Sequence, residues 1–354
     1  MAKILIAGAG GAPSEGVIHS LLKNPENEVI GMGSEPTDLI LSAAHRKYYI
    51  PYANTPEYKS SLLKILNKEK PDLVHFQNDL EIYHASLIRK EILKQGVKLF
   101  MPEHNVIDIC VHKFKSYEKF SEARIKVPKN MMIHNENDLR KAFDNLANNE
   151  GKIWLRASSI GGGGKGSLPT NDFNLAKSWI DHYKGWGDFV AAEILTAKTV
   201  TWLSIWHEGE LKVAQTRLRS GWTHGNRTIS GITGVTKVGI TTESEEVNKI
   251  AISSVHAVSK KPHGIFGVDM AYDDEGIPNP TEINISRFFT TIRFFTEAGL
   301  NMPEIFKKLA LNEGLQPIEK KINPLPNNLM WVRGMDVSPR LVNENTIKSE
   351  ITFL

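Results

Sequence analysis

Apolar runs of strand length alternate with helical patterns over the first third of the chain. The first run, Lys3 to Ala7, reaches a glycine-rich segment, and Val17, Ile18 and Leu21 follow it with the spacing of one helix face. Further strand-like runs lie at Asn27–Gly31, Lys70–Phe76 and Val97–Met101, and helical patterns at Tyr58–Asn67 and Glu81–Gln95. This alternation predicts a doubly wound α/β domain with a parallel sheet, which we place at residues 1–110.

The pattern becomes mixed α+β beyond residue 110. A strand and an amphipathic helix are predicted between Met131 and Asn149, with Leu139, Ala142, Phe143 and Leu146 on the apolar face. The remaining predicted elements are helices at residues 172–184 and Pro303–Leu311, strands at Phe189–Leu195 and Leu329–Val332, and hairpins at Thr199–Arg217 and Gly264–Phe289. We expect two α+β lobes, at residues 111–192 and 193–320, and a tail at residues 321–354 that packs back on the protein.

The stretch KIWLRASSIGGGGKGSLPT, residues 152–170, carries the strongest chemical signal. Four consecutive glycines, Gly161 to Gly164, favour close approach of the backbone to a ligand, and free N–H groups beside Arg156 and Lys165 suit phosphate. A Walker A loop does not fit, because Gly166 stands where Ser or Thr should follow the lysine. We predict a hairpin flap over a triphosphate; a surface turn without a ligand is the alternative.

The hairpin at Gly264–Phe289 carries candidate metal ligands. Asp269 and Glu282 fall roughly opposite each other across the turn, and Glu282 and Asn284 project from the same face of one strand. Two carboxylates and an amide oxygen form a hard oxygen cage, which suits Mg²⁺ or Mn²⁺. A solvated acidic turn is the alternative, and it applies better to the turn itself, residues 273–275, than to Glu282.

The N-terminal glycines match a dinucleotide fingerprint only in part. Gly8 and Gly10 begin G-x-G-x-x-G, but Pro13 occupies the third glycine position. We therefore interpret this domain as a scaffold. Strand-end residues Gln77, Asn78, Asp79 and Glu81 are either substrate contacts or a solvated turn and helix cap.

Composition narrows the class of protein. The 354 residues are 41% hydrophobic, the formal net charge is +3, and there is a single cysteine, Cys110. No dense basic tract and no run of about 18 apolar residues occurs, so we expect a cytoplasmic protein without nucleic-acid or membrane partners. The oligomeric state is open, a homodimer included.

A glycine flap, a strand ending in Glu193 and a Glu-x-Asn at Glu282 to Asn284, in this order, resemble the ATP-grasp superfamily. Within it the chain looks most like one synthetase unit of the carbamoyl-phosphate synthase large subunit and its free-standing relatives, from Lys3 to about Leu311. The resemblance implies an N-terminal doubly wound (pre-ATP-grasp) domain, followed by a two-lobed ATP-grasp fold that binds ATP and Mg²⁺ or Mn²⁺.

The resemblance also implies roles for individual residues. The ATP phosphates would be held by Lys113, Arg156 and the flap residues Gly161, Gly162, Gly163, Gly164 and Lys165; the adenine edge by Glu193, Ile194 and Leu195; the metal by Asp269, Glu282 and Asn284. Lys165 and Arg287 are the expected catalytic groups. Two positions depart from the pattern: Thr199 stands near the usual ribose-binding acid, and Ser286 takes the place of the usual arginine, one residue before Arg287.

Such enzymes phosphorylate a carboxylate with ATP and let an amine or similar nucleophile displace the phosphate. The acceptor is expected near Arg217, Arg219 and His224, where either arginine would bind the substrate carboxylate as a fork. Surface arginines on a strand are the alternative. The expected function is thus an ATP- and Mg²⁺-dependent ligase with small carboxylate and amine substrates. A non-catalytic nucleotide-binding module and a nicotinamide-dependent oxidoreductase are the other hypotheses.

Overall fold

The computed structural model describes residues 1–159, 164, 166–333 and 348–353. Gly161, Gly162, Gly163 and Lys165 of the predicted flap lie outside the described residues. Within those ranges the strands form three sheets that follow one another along the chain. No helix in the same ranges combines the length and apolar character needed to cross a membrane.

The first sheet is parallel, with the strand order β3-β2-β1-β4. Its strands are β1 (Ala2–Ala7), β2 (Asn27–Gly33), β3 (Arg46–Tyr49) and β4 (Leu73–His75), and the helices around it are α1 (Ala12–Leu21), α2 (Pro36–Leu39), α3 (Tyr58–Glu69), α4 (Asp79–Leu87), α5 (Arg89–Lys94) and α6 (His104–Val111). The predicted doubly wound domain is confirmed.

Two local predictions in this domain are wrong. Val97–Met101 is not a strand and forms a single bridge between Lys98 and Leu73. Beyond the bridge, the carbonyls of Met101 and Pro102 accept hydrogen bonds from the Arg89 guanidinium. The helix predicted at residues 81–95 is two helices, α4 and α5, that meet at Ile88, whose backbone leaves the helical conformation (φ −105°, ψ 21°).

The second sheet is antiparallel and has the order β5-β8-β6-β7. Its elements are α7 (Lys113–Glu122), β5 (Asn130–Ile133), α8 (Glu136–Leu146), β6 (Ile153–Ala157), β7 (Leu168–Thr170), α9 (Phe173–His182) and β8 (Phe189–Ala192). Leu139, Ala142 and Leu146 of α8 are buried against this sheet, as their spacing predicts. The strands β6 and β7 pair directly, so the hairpin predicted around the flap is confirmed.

The third sheet is antiparallel, with the order β13-β12-β9-β10-β11-β14. Its elements are β9 (Thr199–His207), β10 (Glu210–Trp222), β11 (Thr236–Thr242), α10 (Glu245–Val258), β12 (Gly264–Tyr272), β13 (Pro278–Ile285), α11 (Ile292–Glu297), α12 (Met302–Ala310) and β14 (Met330–Val332). Both predicted hairpins are present. The tail supplies the edge strand β14, and Thr352 bridges to Tyr48 of the first sheet.

The first and third sheets share apolar cores. One core joins Leu5 and Ile30 of the first sheet to Trp202 and Phe266 of the third. Helix α6 contributes Ile107 and Cys110 to the same core, and it packs against β13. The strand that carries Glu282 is therefore held against the N-terminal domain.

Candidate active site

A cavity of about 590 Å³ lies between the second and third sheets. Its lining includes many of the residues with a predicted role: Lys113, Arg156, Gly164, Glu193, Ile194, Leu195, Arg219, Asp269, Glu282 and Arg287. A volume of this size suits a nucleotide-sized ligand. Asn284, Arg217 and His224 are not among the lining residues, so the structure does not bring these three into the cavity wall.

Lys113 stands where α7 begins, beside the end of β6. The Lys113 amide donates to the Ser158 carbonyl at 3.0 Å, and the Phe114 amide donates to Ser158 Oγ at 3.1 Å. These bonds hold the start of α7 against Ser158, which follows Arg156 by two residues. Burial lowers the pKa of the Lys113 ammonium, and the nearby Glu282 carboxylate acts in the opposite direction.

Arg156 reaches from the second sheet to the third. Its Nη2 donates to the Tyr117 hydroxyl at 2.9 Å and to the Thr281 carbonyl at 2.6 Å. Its Nη1 lies 3.8 Å from Glu282 Oε2. The guanidinium is thus held by two neutral acceptors and faces one carboxylate across the cavity, where phosphate oxygens would find both a cation and the acidic pair described next.

Asp269 on β12 and Glu282 on β13 are direct partners in the strand register. The Asp269 carboxylate accepts a hydrogen bond from the Thr201 hydroxyl through Oδ1 and one at 3.0 Å from Asn284 Nδ2 through Oδ2. Glu282 lines the cavity with its side chain about one third exposed, at 31%. Two carboxylates side by side in the cavity wall are oxygen ligands of the kind that Mg²⁺ or Mn²⁺ prefers.

Asn284 does not present its oxygen to this pair. The amide nitrogen faces Asp269, and Oδ1 accepts a hydrogen bond from Arg287 Nη2. The two carboxylates are therefore the residues that would hold the ion, and Asn284 would ligate it only if the amide turned over and released Arg287.

Arg287 enters the cavity because the residue before it leaves the strand conformation. Ser286 has a φ of 55°, in the left-handed region, and its amide donates to the Ile265 carbonyl at 2.8 Å. The Arg287 guanidinium binds Asp79 through Nε at 2.7 Å and Nη2 at 3.3 Å.

Arg217 is a buried supporting residue. Its guanidinium donates to the hydroxyls of Thr291 at 2.8 Å, Thr201 at 2.8 Å and Thr236 at 3.2 Å. Burial lowers its pKa to about 9. Since the Thr201 hydroxyl also donates to Asp269, Arg217 acts on the cavity through Thr201.

Arg219 is the arginine of this strand that lines the cavity. It donates to the Thr199 hydroxyl at 3.0 Å and the Thr236 hydroxyl at 3.2 Å, and its guanidinium carbon lies 3.9 Å from the centre of the Trp222 ring. His224 is exposed and has a left-handed backbone (φ 57°) in the loop that follows. Of the three residues predicted to lie near the acceptor, Arg217, Arg219 and His224, only Arg219 lines the cavity.

The predicted adenine segment follows the end of β8. The predicted strand is too long, because β8 ends at Ala192 and the chain then turns. The Glu193 amide donates to the Lys129 carbonyl at 3.0 Å, and Glu193 Oε1 accepts from the Lys129 amide at 3.0 Å. The Thr196 amide donates to the Tyr272 carbonyl at 2.8 Å. Both ends of the segment are thus fixed, and residues 193–197 line the cavity.

The base of the flap is tied to the turn before β8. Ser159 donates to the Asp188 carboxylate through its amide at 2.9 Å and its hydroxyl at 2.7 Å. At the far side, Gly164 has a φ of 75°, and a side-chain carbon placed on it would lie 3.0 Å from Ile232 Cγ2. Gly164 thus lies against the loop at residues 223–235 that follows Arg219.

A smaller cavity of about 230 Å³ lies at the carboxyl ends of β1 and β2. The Glu15 carboxylate accepts hydrogen bonds from the amides of Gly10 and Ala43, both at 2.9 Å, and Glu35, Asp38 and Glu81 line the cavity. Burial raises the pKa of Glu81 to about 7. The Glu15 carboxylate, which binds the Gly10 amide, and the acidic residues that line this cavity disfavour the phosphates of a dinucleotide there.

Sequence reasoning missed three lining residues that shape the main cavity: Tyr117, Trp154 and Met270. Trp154 was available from the sequence, because it precedes Arg156 by two residues on the same strand and so shares its face. Tyr117 lies one helical turn after Lys113, a spacing that puts both side chains on one side of α7. Asp79, one of the strand-end residues predicted as a possible substrate contact, lies in the cavity wall, but nothing in the sequence predicts its ion pair with Arg287.

No protein-family model and no curated protein sequence matches the chain. Solved structures are similar at low identity. N5-carboxyaminoimidazole synthetase from Staphylococcus aureus, complexed with ADP, has a TM-score of 0.68 at 16% identity over 89% of this chain and 79% of that one. The L-amino acid ligase of Bacillus licheniformis has a TM-score of 0.66 at 13% identity over 88% and 74%.

A third similar structure is the biotin carboxylase domain of Hydrogenobacter thermophilus 2-oxoglutarate carboxylase, in complex with MgADP, ADP and bicarbonate. Its TM-score is 0.69 at 14% identity, over 93% of this chain and 73% of that one. The resemblance to carbamoyl-phosphate synthase in particular stays a prediction. The parallel N-terminal sheet and the two antiparallel sheets match these structures, and the chain has a pre-ATP-grasp domain followed by an ATP-grasp fold.

Proposed function

We propose that the chain is an ATP- and Mg²⁺-dependent ligase that activates a carboxylate as an acyl phosphate and joins it to an amine or similar nucleophile. The observation that carries the proposal is the single cavity in which Lys113 and Arg156 face Asp269, Glu282 and Arg287. Phosphoryl transfer requires charge neutralisation and positioning more than acid–base groups, and these side chains supply both. The similar ATP-grasp structures, two of which hold ADP, support the proposal.

The nucleotide would lie along the cavity, with its base against the segment at residues 193–195 and its phosphates between Arg156 and the acidic pair. A divalent ion, when bound by Asp269 and Glu282, supplies positive charge at the phosphate oxygens. Lys113 and Arg156 hold the phosphates from the second sheet. Arg219 binds the carboxylate of the acceptor, since it is the cavity-lining arginine on β10.

In the first step, a carboxylate oxygen attacks the γ-phosphorus, its new bond to phosphorus forms and the bond to the ADP oxygen breaks. In the second step, the amine attacks the carbonyl carbon, the bond from that carbon to the phosphate oxygen breaks, and phosphate leaves. The amine proton passes to the departing phosphate. Arg287, placed between Asn284 and Asp79, steadies the acyl phosphate while the nucleophile approaches.

The test is ATP turnover with a panel of small carboxylates, bicarbonate included, each with and without amines. A ligase forms ADP only with its carboxylate, and hydroxylamine traps the acyl phosphate as a hydroxamate. With ¹⁸O in the carboxylate, one label appears in the released phosphate. Binding of Mg·ATP without ADP formation across the panel would favour the non-catalytic nucleotide-binding alternative.

The nicotinamide alternative is weaker. It places the dinucleotide on the N-terminal glycine loop, whose Gly10 amide already donates to Glu15. It also leaves the cavity between the second and third sheets unused. NADH binding by the purified protein, detected by fluorescence, would revive it.

A further inference from the structure

Two histidines and a glutamate meet at the end of the third sheet remote from the nucleotide cavity. His207 ends β9, Glu208 is the first residue of the β9–β10 turn, and His263 immediately precedes β12. One donor atom from each lies within 4.8 Å of the others. Thr199, at the start of β9, lines the nucleotide cavity, and eight steps along the strand, at about 3.3 Å each, separate it from His207 by roughly 26 Å.

Backbone and ring contacts hold the three donors together. The Gly209 amide donates to the Pro262 carbonyl at 2.8 Å, which fixes the turn beside His263. The Phe100 ring lies 4.4 Å from the His263 ring and 5.6 Å from the His207 ring, centre to centre. Since Phe100 is 4% exposed, both imidazoles pack against a fixed wall that belongs to the N-terminal domain.

The turn itself does not explain the glutamate. Glu208 and Gly209 both have positive φ, 53° and 90°, and two-residue turns of this kind favour Asn, Asp or Gly at the first position. Glu208 instead places its carboxylate 3.0 Å from His263 Nδ1, and it also binds the ammonium of Lys261. Lys261 is on Oε2 and His263 faces Oε1, so the ammonium competes with a bound cation for the charge of the same carboxylate.

We propose that His207, Glu208 and His263 form a binding site for Zn²⁺ or a similar borderline divalent metal. Two imidazoles and one carboxylate, with water in the fourth position, are a known zinc donor set. Ligands of one tetrahedral ion lie about 3.3 Å apart, so small side-chain rotations convert the observed spacing into a coordination shell. The hard oxygen pair at Asp269 and Glu282 has no imidazole and favours a different class of ion.

The bound metal would join three segments: the end of β9, the β9–β10 turn and the start of β12. Because Phe100 packs on both imidazoles, the metal would also stiffen the junction between the third sheet and the N-terminal domain. A ligand that binds only the folded state stabilises it by mass action, so the metal should raise the melting temperature.

The experiment titrates the metal-free full chain with Co²⁺ and with Zn²⁺ in excess Mg²⁺, which keeps the oxygen pair occupied. We expect one site per chain, visible bands for tetrahedral Co²⁺ that Zn²⁺ abolishes, and a higher melting temperature with Zn²⁺. His263→Ala, His207→Ala and Glu208→Gln should each weaken Zn²⁺ binding at least tenfold. Lys261→Ala should strengthen it, because the competing ammonium is gone.

Two variants serve as controls. His256→Ala removes an exposed histidine on α10 outside the cluster, and Glu282→Gln alters the proposed Mg²⁺ site; both should keep the Zn²⁺ affinity of the parent. Glu208 is more than half exposed, at 57%, so its variant folds even where a histidine variant does not. Absence of a stoichiometric site, or equal affinity in Glu208→Gln and the parent, would overturn the proposal.

Discussion

Arg287, two residues after the end of β13, forms an ion pair with Asp79, the first residue of α4; Arg287 Nε lies 2.7 Å from Asp79 Oδ1. Both side chains line the cavity between the second and third sheets, although Asp79 belongs to the N-terminal domain. Gln77 adds a second link, because its Oε1 accepts a hydrogen bond from the Phe288 amide at 2.8 Å. The N-terminal domain thus sets the position of the guanidinium that, in our proposal, steadies the acyl phosphate.

Asp79→Asn should reduce turnover roughly 10- to 100-fold, because a charge-assisted hydrogen bond of about 1.5–3 kcal/mol no longer orients Arg287. Nucleotide affinity should change little, since Asp79 acts through Arg287 and not on the base or phosphates directly. Steady-state phosphate release and Mg·ATP titration separate the two effects. Asp144→Asn, at an exposed position of α8, is the control; an equal loss of turnover there would contradict the positioning role.

Glu282→Gln should abolish ADP formation and weaken Mg·ATP binding while leaving the melting temperature within about 1 °C, because this carboxylate faces the cavity and is partly exposed. The matched control is Asp274→Asn, an exposed acid on the turn of the same hairpin, which should keep full activity. Full activity of Glu282→Gln would remove Glu282 from the metal site.

Arg219→Lys should raise the KM for the carboxylate substrate at least tenfold with little change in the KM for ATP. A lysine keeps the charge but loses the planar fork and the stacking on Trp222. Steady-state kinetics with the substrate identified in the turnover panel measure both constants. Arg227→Lys, in the exposed loop beyond Trp222, is the control, and a raised KM for ATP in Arg219→Lys would place this arginine on the nucleotide instead.

Features set by local pattern could be predicted from the sequence. The opposition of Asp269 and Glu282 follows from counting residues across one turn, and the register confirms it. The Asp79–Arg287 pair could not be predicted, because 208 residues separate the partners and tertiary packing, such as that of α6 against β13, brings the domains together.

The burial of individual side chains could not be predicted where the alternation of faces along a strand does not distinguish them. Arg217 and Arg219 are two residues apart on β10 and share a face, yet Arg217 is enclosed by three threonine hydroxyls and Arg219 lines the cavity. The segment after β13 contacts Arg217: Thr291, just before α11, accepts a hydrogen bond from its guanidinium, and the Phe289 ring packs on it. Strand periodicity alone treats the two arginines as equivalent.

Glu81→Gln should remove a pH dependence of folding stability. Burial raises the pKa of Glu81 to about 7 in the folded protein, against an ordinary value of 4.5. Between these values the folded state holds a proton that the unfolded chain has released, so the contribution of Glu81 to stability is present below pH 4.5 and is lost as pH rises through 7. A shift of this size corresponds to about 3 kcal/mol.

Urea unfolding of both proteins from pH 4.5 to 8 measures the effect. The free energy of unfolding of Glu81→Gln minus that of the parent should rise by up to about 3 kcal/mol as the pH increases over this range. Burial lowers the pKa of His75 to about 4 and gives a slope of opposite sign, but His75 is present in both proteins and cancels in the difference. The exposed Glu57→Gln variant supplies the baseline, and a difference independent of pH would show that Glu81 is ionised in the folded state.

Gly164→Ala should slow turnover, because Gly164 and Ile232 both line the cavity. Two costs add at this position: a φ of 75°, which disfavours any side chain, and a new Cβ at 3.0 Å from Ile232 Cγ2. Gly276→Ala separates them, because Gly276 has a similar φ of 80° but no heavy atom within 4 Å of the added carbon. Both variants should lose about 1 kcal/mol of stability from the backbone, and only Gly164→Ala should also lose activity.

The activity loss in Gly164→Ala should be recovered in part by Ile232→Ala, which removes the atoms that the new methyl group meets. Phosphate release by the single and double variants, compared as a double-mutant cycle, gives the coupling between the two positions. A coupling near zero, with equal losses in Gly164→Ala and its double variant, would mean that flap and loop do not touch during turnover. A coupling that differs from zero would show that Gly164 and Ile232 interact during turnover.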